Sequence, residues 1–125
     1  MLLSQADFEA LVDEALAELP SFFAEKMSNV AVLVQPWPTT EDLRRVGLGP
    51  GYTLLGLYHG VPLTERGSGY ALVAPDTITL YQAPIERAAG PSLAALRKQV
   101  RRTVLHELAH HFGISDNRLH ELGAY

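Results

Sequence analysis

The longest regular pattern in this chain is helical. It begins after Gly90-Pro91-Ser92 and persists to about Phe112, with Leu93, Leu96, Val100, Val104 and Leu108 forming a core stripe at helical spacing. Pro91 suits the first helical turn, and Gly113 suits a left-handed position just past the end. The chain has 125 residues, enough for one core and one domain covering residues 1–125. So short a chain leaves little room for a deep cleft, so an active site is expected to be shallow or open along a sheet edge.

The remaining pattern mixes helix and strand. Residues 4–18 read as an amphipathic helix on Phe8, Leu11, Val12, Ala15 and Leu19, closed by Pro20, with Ser4 or Asp7 as its cap. The β-branched run at 29–35 reads as a central strand buried on both faces and stopped by Pro36 and Pro38. A helical turn capped by Thr40 is expected over 40–46, then a Gly/Pro loop at 47–51. Residues 53–58 read as a strand and 59–69 as a loop. Residues 70–74 and 77–81 read as two strands joined by a turn at Pro75-Asp76. Ile78 and Leu80 alternate with Thr77, Thr79 and Tyr81, which predicts one buried and one wetter face. A short helix over about 116–122 closes the reading.

Composition narrows the function classes. Hydrophobic residues at 47% and charged residues at 19% fit a globular chain rather than a disordered one. A net charge of −4 argues against nucleic acid as partner, because that affinity rests on basic side chains neutralising phosphates. The one basic cluster, Arg97-Lys98 with Arg101-Arg102, reads as a solvated helix face. With no cysteine, disulfides, thiolate metal sites and a cysteine nucleophile are all excluded. Any transition metal must then be held by His and carboxylate. The N-terminus lacks the basic and apolar regions of a secretory signal, and no run approaches the roughly 20 apolar residues that span a bilayer. The expectation is a cytoplasmic protein without a membrane partner.

Within the long helix stands Val104-Leu105-His106-Glu107-Leu108-Ala109-His110-His111-Phe112-Gly113. Residues four apart lie nearly one above the other, so His106 and His110 can offer imidazoles to one ion. Glu107 lies about 100° round the axis, near enough to reach a water on that metal without ligating it. Zinc lowers the pKa of bound water to about 7 and prefers three protein ligands plus water in catalytic sites. Asp116 is a candidate third ligand, with His120 and Glu121 as competitors. Asp116 or Ser115 could instead cap the last helix. His111 points about 100° away from His110 and reads as a structural or surface residue, and His59 as an exposed one.

Read through to Asp116, the stretch is H-E-x-x-H-x-x-G-x-x-D, which resembles the elongated zinc motif of the metzincins with Asp in place of the usual third His. The resemblance narrows further on residues 57–66, on residues 75–81 and on the zinc helix. Together these are similar to the bacterial minimal zincins, short zincin-like metallopeptidases of about this length. The similarity covers about residues 30–120. It implies an α+β reduced zincin fold: an N-terminal helix, a small mixed β-sheet and a C-terminal active-site helix packed across it. It also implies one Zn2+ per chain held by His106, His110 and Asp116, with Glu107 as general base and a peptide or protein as substrate. The only methionines are Met1 and Met27. The expectation is therefore a site without the methionine turn and C-terminal subdomain of metzincins. Tyr58, Tyr81, Tyr125 and Arg66 are the candidates to stabilise an oxyanion. The rival readings are a catalytically silent zincin-fold module that binds metal or protein, and a zinc hydrolase acting on nucleic acid. Nothing in the sequence indicates an oligomeric state.

Overall fold

The computed structural model describes residues 3–47, 54–60 and 75–121. In chain order the elements are α1 (Gln5–Ala17), α2 (Ser21–Lys26) with a 3-10 turn at Met27–Asn29, β1 (Val30–Gln35), α3 (Thr40–Arg45), β2 (Gly56–His59), β3 (Asp76–Tyr81), α4 (Gln82–Ala89), α5 (Leu93–His111) and α6 (Asp116–Glu121). The expected strand at 70–74 and most of the loops at 47–51 and 59–69 lie outside the described residues; of the turn expected at Pro75-Asp76, Asp76 is already the first residue of β3. So do the oxyanion candidates Arg66 and Tyr125.

The sheet order is β1-β3-β2. β1 runs parallel to β3, with Val32 opposite Ile78, and β2 runs antiparallel, with Tyr58 opposite Ile78. A small mixed sheet, three-stranded among the described residues, carrying helices is the α+β architecture that the sequence predicts. The strand paired on both sides among the described residues, however, is β3 and not β1. Among the described residues β1 pairs on one side alone, and Leu33 is 47% exposed. A continuous apolar run is compatible with either position, because periodicity does not report how many neighbours a strand has. β3 keeps the predicted alternation, with Ile78 and Leu80 fully buried, but Tyr81 is buried as well.

The core forms where α5 crosses the Ile78/Leu80 face of β3 and packs on α1 and α4. Phe8, Leu11, Val12 and Ala15 of α1 meet Leu96, Val100, Val104 and Leu108 of α5, with Phe23, Ile85 and Leu119 closing the sides. Each fully buried side chain of this size contributes roughly 1.5–3 kcal/mol. Leu93 does not share in this: it is 49% exposed, because Ser92 caps the helix through the Ala95 N–H and Leu93 is its first residue. Pro91 accordingly precedes the cap rather than opening the first turn.

Two helices, α2 and α4, are additional to the sequence reading. α4 follows β3 without a break, and its buried Glu86 accepts from the Leu3 N–H at 3.1 Å, tying the start of the chain to the sheet's far end. α3 is capped by Thr39, one residue earlier than expected, through a reciprocal box in which Thr39 and Asp42 each accept from the other's backbone N–H. Of the basic cluster, Arg97 and Arg101 reach across to Glu14 and Glu18 of α1 at 3.2 and 3.5 Å. Among the described residues no helix is long and apolar enough to cross a membrane.

Candidate metal and catalytic site

His106 and His110 emerge from α5 on one face, with ring centroids 4.2 Å apart and planes tilted by 58°. The i, i+4 spacing accounts for this directly. His106 is half-buried and His110 exposed, so the pair sits at the protein surface, open to solvent. Buried Val104, Leu105, Leu108 and Ala109 hold the same turns of α5 against the core, which fixes where the two rings project.

Glu107 takes a different direction. Its Oε1 accepts from the Tyr58 backbone N–H at 3.1 Å, which docks the carboxylate on strand β2. Burial pushes this carboxyl above its ordinary range, against opposing pulls from the Tyr58 N–H and from His110 and His106. The Tyr81 N–H bonds the Leu55 carbonyl, so alternation along the antiparallel pair turns the N–H and C=O groups of Gly56 and Tyr58 away from β3. The Glu107 carboxylate therefore lies on the side of β2 that faces away from β3, an edge among the described residues.

Past His110 the helix ends as the motif requires. Gly113 has φ of 70°, its N–H bonds the His110 carbonyl at 3.2 Å, and the Ile114 N–H bonds the Ala109 carbonyl at 2.8 Å. This is a Schellman closure, and Ile114 packs on the core as such closures favour. The chain then enters α6, where Ser115 Oγ accepts from the Arg118 N–H at 3.1 Å. The capping role left open between Ser115 and Asp116 is thus filled by Ser115. Asp116 is the first residue of α6, and its side chain lies outside what is described.

As a zinc site, two imidazoles on one helical face are a fitting donor pair. Among the described residues no three His, Asp or Glu side chains group closely enough to hold an ion. Glu121 is paired with Arg118 at 2.9 Å.

Three features of the site escaped the sequence reading. The first is the Tyr58 N–H itself. A backbone donor leaves no signature in residue type. The second is Gly56, where close approach of α5 leaves no space for a side chain; a glycine inside a strand pattern is the usual mark of such a contact. The third is a brace behind the site. The His111 ring stacks on Tyr58 with centroids 3.9 Å apart, and the Tyr58 hydroxyl donates to buried Asp76 at 2.7 Å. His111 Nε2 lies 3.8 Å from the same Asp76 oxygen. His111 does point away from the His106/His110 face, as helical geometry predicts, and its partners are in the sheet.

A long helix presenting two histidines and a glutamate beside the edge of a small mixed sheet defines the zincin class of architecture. The family model for zincin-like metallopeptidases matches residues 27–124, and the chain belongs to that family. A solved structure, a conserved hypothetical protein from Thermus thermophilus, aligns with a TM-score of 0.54 at 26% identity, over 88% of this chain and 94% of that one. No curated protein matches the chain.

Proposed function

We propose that this protein is a zinc-dependent peptidase that hydrolyses peptide bonds with Glu107 as general base. His106 and His110, with Asp116 as third ligand, would hold the ion. Bound there, zinc would acidify a water molecule and polarise a scissile carbonyl. The observation that carries the reading is the placement of Glu107. Its carboxylate is near enough to both histidines for their charge to act on it yet is anchored by the Tyr58 N–H, which leaves its second oxygen to hold a water proton and deliver it to the leaving amine. Burial raises its proton affinity, which suits a group that must accept a proton and then release it.

The substrate would be an extended peptide added along the outer edge of β2. The Tyr58 N–H is taken by Glu107, so the Gly56 N–H and the outward C=O groups of Gly56 and Tyr58 would supply the main-chain pairing, without regard to sequence. Of the oxyanion candidates among the described residues, Tyr58 donates its hydroxyl to Asp76 and Tyr81 is buried with its hydroxyl on Asp42. Both phenols are already committed elsewhere.

The test begins with metal content. One zinc per chain is expected, lost in His106→Ala and strongly weakened in Asp116→Ala. Glu107→Gln is expected to bind zinc as the wild type does and to turn over at least ~10²-fold more slowly. A reconstituted protein that takes up no zinc, or a Glu107→Gln protein with unchanged turnover, overturns the reading.

A further inference from the structure

Across the sheet from the strand that docks Glu107, α1 and β1 border a groove of about 490 Å³. Glu9, Val12 and Asp13 line it from the helix, and residues 32–35 line it from the strand. Among the described residues β1 pairs with β3 alone, so alternate residues of β1 turn their N–H and C=O groups to the open side. Val32 and Val34 pack against the core on the helix side, while Leu33 projects from the other face and is 47% exposed. The charge of α1 differs between its two flanks. Toward α5, Glu14 and Glu18 are paired with Arg97 and Arg101. Toward the groove, Glu9 and Asp13 are exposed, and among the described residues no Lys or Arg pairs with either. Glu9 takes the neutral amide of Gln5 at 3.2 Å, which leaves its charge uncompensated.

We propose that this groove binds an extended segment of a partner protein, added as a further strand on β1 and carrying Lys or Arg at alternate positions. The binding needs no metal and is independent of the peptidase reading, because β1 lies on the far side of β3 from the strand that docks Glu107. Main-chain pairing along β1 supplies the affinity, and the two acids select the side chains. Glu9 and Asp13 are four residues apart, about 6 Å along the helix axis. Alternate residues of an extended strand share one face and are about 6.6 Å apart. Basic residues at i and i+2 of the added strand therefore meet one acid each. The residue between them projects from the opposite face, beside Leu33, where an apolar side chain covers that exposed leucine. β1 offers Val30–Gln35 for pairing, which matches a segment of about six residues and about 20 Å. A second copy of this chain is the poorer occupant. Pairing two β1 edges about a two-fold axis puts both α1 helices on one face of the joined sheet and sets their acids against each other.

The test uses metal-free protein, which keeps binding separate from any cleavage. A labelled peptide alternating Lys with Val is titrated by fluorescence anisotropy beside an isomer of the same composition whose lysines are consecutive. Residue-level amide hydrogen exchange then locates the contact. The wild type is expected to bind the alternating peptide about tenfold more tightly than the isomer, the combined scale of two exposed ion pairs held in register. Binding should slow exchange of the outward amides of β1. N-methylation of one alternate set of peptide amides should abolish binding, and N-methylation of the other set should spare it. The double variant Glu9→Lys with Asp13→Lys should lose the preference and favour a peptide alternating Glu with Val. Both acids are exposed, so thermal unfolding close to that of wild type serves as the folding control. Equal binding of the two isomers, or a preference unchanged in the double variant, overturns the proposal. So does protection of β2 in place of β1. Outward β1 amides protected without peptide at every protein concentration would assign the edge to this chain's own residues. Protection that appears only as protein concentration rises would assign it to a second copy, and either result also overturns the proposal.

Discussion

A Cβ built on Gly56 would stand 2.9 Å from Thr103 Cγ2, 3.3 Å from the Thr79 carbonyl oxygen and 3.5 Å from Glu107 Cγ. Thr103 cannot swing clear, since it is branched at Cβ and its hydroxyl donates to the Gln99 carbonyl at 2.8 Å. Gly56→Ala is therefore expected to lower stability by roughly 1–3 kcal/mol, the usual scale of overpacking in a close-packed contact. It should also loosen the Glu107 anchor, because relief comes by moving β2 away from α5. Urea unfolding measures the first effect. An Ala variant as stable as wild type would show that the two elements are not in contact here. At this scale the sequence was informative wherever chemistry depends on residue type. The shared helical face of His106 and His110 follows from spacing alone, and Gly113 takes the left-handed conformation predicted for it. It was silent on the Tyr58 N–H, because every residue but proline carries one.

Between elements, the helix–sheet junction depends on the ring contact of His111 with Tyr58 and on the hydroxyl of Tyr58 with Asp76. These three side chains come from α5, β2 and β3. They fix the height of α5 over the strand whose N–H holds Glu107. His111→Ala is expected to lower stability by about 1 kcal/mol, the scale of an aromatic pair, and His111→Phe to restore most of it. Tyr58→Phe keeps the ring but leaves buried Asp76 short of a donor, a loss of roughly 1–3 kcal/mol. In His111→Ala, turnover should fall while zinc binding is kept, since the Glu107 anchor is displaced and the imidazoles are not. If His111→Ala and His111→Phe are equally stable, the stacking contributes nothing. None of this was legible in sequence, where His111 and Asp76 are 35 residues apart and each has an ordinary local reading. The order of the strands was hidden for a related reason. The apolar run of β1 reports hydrophobic neighbours, and helices and strands supply those equally well. α4 escaped because Pro84 in its first turn and the polar Gln82, Glu86 and Arg87 mask its apolar face.

Across the whole molecule, one hydrogen bond couples the cap of α3 to the end of β3 and gives stability a defined pH dependence. Burial pushes the Asp42 carboxyl up, but the Thr39 N–H and hydroxyl, the Tyr81 hydroxyl and the Arg45 charge together outweigh it and hold it below its usual range. Burial, and then the Asp42 carboxylate, push the Tyr81 phenol well above its usual range. The two shifts act at opposite ends of the pH scale. With its folded pKa depressed, Asp42 stabilises the protein above its unfolded value of about 3.9, and that contribution is lost as pH falls through the lower folded value. With its folded pKa raised, Tyr81 contributes fully below its unfolded value of about 10, and its share is lost as pH climbs beyond that. Asp42→Asn should thus cost up to about 1 kcal/mol near neutrality, screening included, and the gap to wild type should close below about pH 4. Tyr81→Phe should remove the alkaline loss assigned to the phenol and weaken the acid one, because Asp42 loses a donor. Urea unfolding from pH 3 to pH 11 reads both limbs. An Asp42→Asn difference that stays constant down to pH 3 would show that the carboxylate titrates alike in the folded and unfolded chain, and that the capping box and the Tyr81 hydroxyl do not act on its charge.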